Sequence, residues 1–162
     1  MFKGKSVVLI LCAAGVVAFC GTGAKAQTTA AKAGPRAISS AADKSLYSEY
    51  RGIAIGVPTA DVHTKLGKAK EASDTQEQFI FSDNESVQFY YDAGHKVNAI
   101  VITFQGDVSK APTAKDVFGE DVPPSADGTV FKMARYPKAG YWISYTRTTG
   151  SDAMVNIAMQ KM

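Results

Sequence analysis

Cysteine is nearly missing from this chain. Only Cys12 and Cys20 occur in 162 residues, and nothing beyond position 20 can form a disulfide or a thiolate metal site. Histidine is almost as scarce, with His63 and His95 alone. They form no H-x-x-x-H or H-E-x-x-H spacing, so a zinc site would need distant carboxylates that no motif supplies. Both read as solvated side chains. No G-x-S-x-G, P-loop or G-x-G-x-x-G run exists, which removes the usual marks of hydrolase and nucleotide chemistry. Ser82-Asp83-Asn84 spells the S-D-N of penicillin-binding enzymes, and Lys138-Ala139-Gly140 approaches their K-T-G. The S-x-x-K that sets the nucleophile beside its lysine is absent, and both runs read as turn residues. Acidic residues stand singly, with no pair marked as general acid and base. The expectation is a protein that is not an enzyme, with no cofactor and no metal.

Long apolar runs are also lacking, except for one. Val7 to Phe19 is apolar apart from Gly15, preceded by Lys3 and Lys5 and followed by Ala24-Lys25-Ala26. A positive start, a short apolar stretch and an A-x-A site form a secretory signal over residues 1–26. The run falls short of the roughly 20 apolar residues that span a bilayer, so no stable membrane anchor is expected after cleavage. The lipid-attachment motif wants a small residue just before its cysteine, and Phe19 precedes Cys20. The protein is therefore expected in the periplasm or outside the cell, with an outer-membrane lipoprotein as the lesser route. Without disulfides, its domain rests on a hydrophobic core.

Excess charge of one sign is lacking too. Three of the 18 basic residues lie in the signal, which has no acid, so 15 remain against 15 acidic ones. A nucleic-acid surface should leave a net positive domain, and none remains.

What is present is periodicity. Residues 27–45 are rich in Ala, Thr, Ser and Lys, and read as a flexible leader. A first unit follows over 46–106. Thr59 caps a short helix with Val62 and Leu66 on one face, and Gly67 suits its left-handed end. Three strand-like runs come next, at 77–82, 86–92 and 96–105, the second alternating Val87, Phe89 and Tyr91 against Gln88, Tyr90 and Asp92. A second unit spans 107–162. Thr113 and Asp116 form a short capping box, Phe118 and Gly119 end the helix, and strands are expected at 129–135, 141–147 and 153–161. The fold class expected is α+β: two tandem units of helix, loop and three-stranded antiparallel meander, with the helices on one sheet face.

Ile53, Gly56, Val62, Leu66 and Gly67, then Val87-Gln88-Phe89-Tyr90-Tyr91-Asp92, Lys96-Val97 and Ile100, carry a resemblance. This pattern is similar to bacterial exported domains of the SmpA/OmlA kind, found in tandem in the β-lactamase-inhibitor protein fold. The resemblance implies an α+β sheet that binds proteins through the face its helices leave open. It carries no inhibitory residue over to this chain.

By alternation, Tyr90 and Gln88 fall opposite Phe89, and Trp142 and Ser144 opposite Tyr141 and Tyr145. Tyr90, Trp142, Gln88 and Ser144 are therefore the expected contacts for an exported or envelope protein, because Tyr and Trp supply much of the contact energy at interfaces. The alternative is a small ligand or envelope glycan in a cleft between the units, at Tyr136, Tyr141 and the loop around Pro123.

Overall fold

The computed structural model describes residues 38–39 and 43–162. The signal read over 1–26, and the leader apart from 38–39 and 43–45, lie outside the described residues.

Period-two alternation makes the long strands. They are β3 (Gln76–Ser82), β4 (Glu85–Tyr91), β5 (Val97–Gln105), β6 (Val130–Tyr136), β7 (Tyr141–Arg147) and β8 (Met154–Lys161), preceded by the two-residue strands β1 (Ile38–Ser39) and β2 (Glu71–Ala72). In β4, for example, Val87, Phe89 and Tyr91 are buried while Gln88 and Tyr90 are half-buried. The helices are short: α1 (Thr59–Leu66) and α2 (Ala114–Phe118).

All eight strands join one sheet in the order β1-β6-β7-β8-β5-β4-β3-β2. Every pair is antiparallel except β1 with β6. This overturns the expected α+β fold of two tandem units. β5 and β8 pair from Ala99↔Gln160 to Gln105↔Met154, so no seam divides the sheet. The helices are too few and too short to form a layer of their own. They lend Val62, Ala114 and Val117 to the core, and chain outside both helices supplies Tyr50, Ile53, Val108 and Ala111. The protein is sheet-dominated, and one core serves the whole sheet. The physical reason is pairing: local periodicity specifies strands, but the β5–β8 contact that fuses them joins residues 49 to 61 positions apart.

The core lies on one side of the sheet. Ala134, Ile143, Met159, Ile100 and Phe89 run across it in register, and Tyr145, Ile157, Ile102, Val87 and Phe79 form the next row. Phe79 meets Phe89 edge-on at 5.8 Å between ring centroids, the arrangement the aromatic quadrupole favours.

The helix ends differ from each other. α2 carries the capping box: Asp116 N–H donates to Thr113 Oγ1, and Thr113 N–H donates to Asp116 Oδ2 at 2.7 Å. Gly119 closes it in the left-handed region at φ 80°, ψ 3°, where a Cβ would be strained. α1 departs from expectation. Its N-cap is Pro58, which offers no side-chain acceptor, and the Thr59 hydroxyl donates to the His95 carbonyl instead. Gly67 has φ 79° but ψ −145°, outside the left-handed helical well.

Candidate binding face

Because side chains alternate across a strand, the side opposite the core is also ordered in rows. The pairing register places Arg135, Trp142, Gln160, Ala99, Tyr90 and Gln76 in one row across six strands. Met133, Ser144, Ala158, Val101, Gln88 and Gln78 form the next, and Glu71 of β2 extends it by one position. Phe131, Thr146, Asn156, Thr103, Ser86 and Ile80 form the third.

These rows hold two charged side chains, Arg135 and Glu71, on the outermost strands the rows reach, β6 and β2. A fifth of the whole chain is charged, at 20%. The middle of the face is amide, hydroxyl, small and aromatic. Phe131 is 40% exposed and Ile80 53%, on the flanking strands.

Tyr90 and Trp142 rise on either side of a hollow of about 300 Å³ floored by Ala99, Val101 and Ala158. The small residues make the hollow, since larger ones on β5 and β8 would fill it. Tyr90 OH donates to Gln88 Oε1 at 2.8 Å, which braces the phenol and leaves the Gln88 amide N–H groups as donors. The structure thus brings Tyr90, Trp142, Gln88 and Ser144 onto one face, in two adjacent rows. Trp142 is the chain's single tryptophan.

Tyr136 and Tyr141 lie elsewhere. They are 3% and 6% exposed, within the core on the other side of the sheet. Their rings are 5.6 Å apart, and Tyr141 OH accepts from Ser45 N–H at 3.1 Å and lies 2.9 Å from Ser45 Oγ. A ligand at a cleft between units would find these rings already packed, and the continuous sheet leaves no such cleft among the described residues.

Two polar clusters escape the sequence reading. His63, read as solvated, places Nε2 at 2.7 Å from Glu77 Oε1, while Glu77 Oε2 accepts from Tyr91 OH at 2.6 Å. The Glu77 side chain is only 7% exposed, so both oxygens need these partners. Burial, then the bond to Glu77, pushes the Tyr91 phenol above its ordinary value. The signal was phase: Glu77 alternates with Phe79, and a carboxylate in step with core residues points inward. The second cluster is Tyr50, Arg51 and Glu85. Tyr50 OH donates to Glu85 Oε1 at 2.6 Å, and Arg51 bonds the same oxygen at 3.0 Å while stacking 3.9 Å over the Phe81 ring. Burial first, and Glu85 second, push the Tyr50 phenol up. Tyr47 beside them is pushed up to about 12, again chiefly by burial.

Each cluster ties separate elements together, α1 to β3 and β4 in one case, and residues 50–51 to β4 in the other. Among the described residues no three His, Cys, Asp or Glu side chains converge to hold a metal. No described helix is long and apolar enough to cross a membrane. No protein-family model, no curated protein and no solved structure matches this chain.

Proposed function

We propose that this is an exported, non-enzymatic binding module of the bacterial cell envelope that docks a protein partner on its open sheet face. The observation that carries the reading is the composition of the three rows. Protein interfaces differ from ordinary surface in losing charge at the centre and gaining Trp, Tyr, Phe, Met and Arg. This face has Trp142, Tyr90, Phe131, Met133 and Arg135, and no charge between its edges. Tyr90 and Trp142, on either side of the hollow, are aromatic anchors of the kind that carry an interface hot spot. Export rests on the signal-like first 26 residues, and kinship with SmpA/OmlA-type domains rests on the residues named above. The rival reading, a small ligand or glycan at Tyr136 and Tyr141, gains no support, since both rings are buried.

The test is affinity capture from the cell envelope with the full chain as bait, followed by identification of what is retained. Trp142→Ala is expected to cut capture of a retained protein at least tenfold, a cost on the order of 1.4 kcal/mol or more. Capture that is indifferent to Trp142→Ala and to Ala158→Arg in the hollow would remove this face from the site.

A further inference from the structure

Resting on the reading of this face as a docking surface, we infer that its partner is a second copy of this chain, joined face to face about a two-fold axis. The axis runs along the strands, over the line between β8 and β5. Counting outward from that line, β7 and β4 are equidistant, as are β6 and β3. A two-fold axis lying in the interface sets each strand of one copy over its counterpart on the other.

The chemistry at each superposition is compatible. Trp142 on β7 meets Tyr90 of the second copy on β4, in the same row, and the contact occurs twice. Phe131 on β6 meets Ile80 on β3, so the two exposed apolar side chains of this face cover each other. Ala158 on β8 lies over Val101 on β5, hollow facing hollow, with a Trp142–Tyr90 contact on either side. The edges match in charge. Arg135 stands on β6 and Glu71 on β2, and the two-fold brings each within one strand and one row of the opposite charge on its neighbour. Among the described residues neither Arg135 nor Glu71 is engaged in an ion pair.

The area is sufficient. Strands about 4.8 Å apart and rows about 6.8 Å apart give a footprint of roughly 600 Å² per copy. The total of roughly 1,200 Å² is at the lower limit of specific, stable interfaces and fits a dimer that forms in the micromolar range. Twisted sheets pack in this manner about 10 Å apart, with strands within about 30°.

The experiment is sedimentation of the full chain, in the form its cell produces, across the micromolar range, with Trp142 fluorescence followed in the same samples. The wild type is expected to pass from monomer to dimer as concentration rises, with Trp142 emission moving to the blue and becoming shielded from acrylamide. Arg135→Glu alone and Glu71→Arg alone each place like charges together twice, and each is expected to weaken the dimer about tenfold or more. The double variant restores opposite charges and is expected to return within about threefold of wild type. Both positions are exposed, so the variants keep the fold. A chain that stays monomeric, a dimer that leaves Trp142 unshielded, or a double variant no better than the single ones overturns the inference. If the chain is monomeric yet captures another envelope protein through Trp142, the docking face stands and the self-pairing falls. A polysaccharide or lipid that shields Trp142 in the monomer overturns both.

Discussion

Glu77 is the clearest case of a side chain whose role depends on phase. It shares the inward side of β3 with Phe79, and its two oxygens are taken by His63 and Tyr91. Tyr91, Tyr50, Tyr47 and Tyr145 all hold their phenolic protons more tightly than a free tyrosine, with burial as the leading cause each time. The sign follows by linkage. A group whose folded pKa is raised stabilises the fold in full below its unfolded value, and the contribution is lost as pH rises through the folded one. For tyrosine the unfolded value is about 10. Stability is therefore expected to decline from about pH 10 upward, with these phenols ionising only as the chain unfolds. Alkaline titration followed by tyrosinate absorbance and circular dichroism checks this. Simultaneous titration of all seven tyrosines with the fold intact would contradict it.

At the scale of elements, α2 has what α1 lacks. The Thr113–Asp116 box satisfies orphan N–H groups at the start of a helix only five residues long. The bonds from Thr113 hold the Asp116 carboxyl below the usual carboxylate range, so its contribution is present above that range and fades as pH falls through the lowered value. Thr113→Ala is expected to cost about 1 kcal/mol in urea unfolding at neutral pH; no change would show that packing of Val117 alone holds the helix. Strands were the most legible elements. β7 lies at 141–147 as its alternation requires, and β4 lies at 85–91 against an expected 86–92. Six long strands carry enough period for that, whereas β1 and β2 have two residues each and carry none. Thr113 was legible because a capping box is local. Thr59 was not, because the partner of its hydroxyl, the His95 carbonyl, lies 36 positions away.

The molecule as a whole is where local pattern fails and pairing decides. Alternation sorted each strand into two sides, and that alone put Tyr90, Trp142, Gln88 and Ser144 together. It could not say that β5 binds β8, and this bond turns the expected pair of α+β units into one sheet with one core. Nor could it keep Tyr136 and Tyr141 in a cleft, since the fused sheet buries both. The two sides that result are chemically unlike. One is filled by the chain itself, and the other carries aromatic, amide and hydroxyl groups with charge only at its edges. The most direct test of that face as the working surface is in-cell photocrosslinking. A benzophenone side chain is placed at Gln160, in the first row between Trp142 and Ala99, and separately at Asp61, exposed on α1. The account predicts a discrete crosslinked protein from position 160 and none from position 61. Crosslinks from position 61 alone, or from neither, would contradict it.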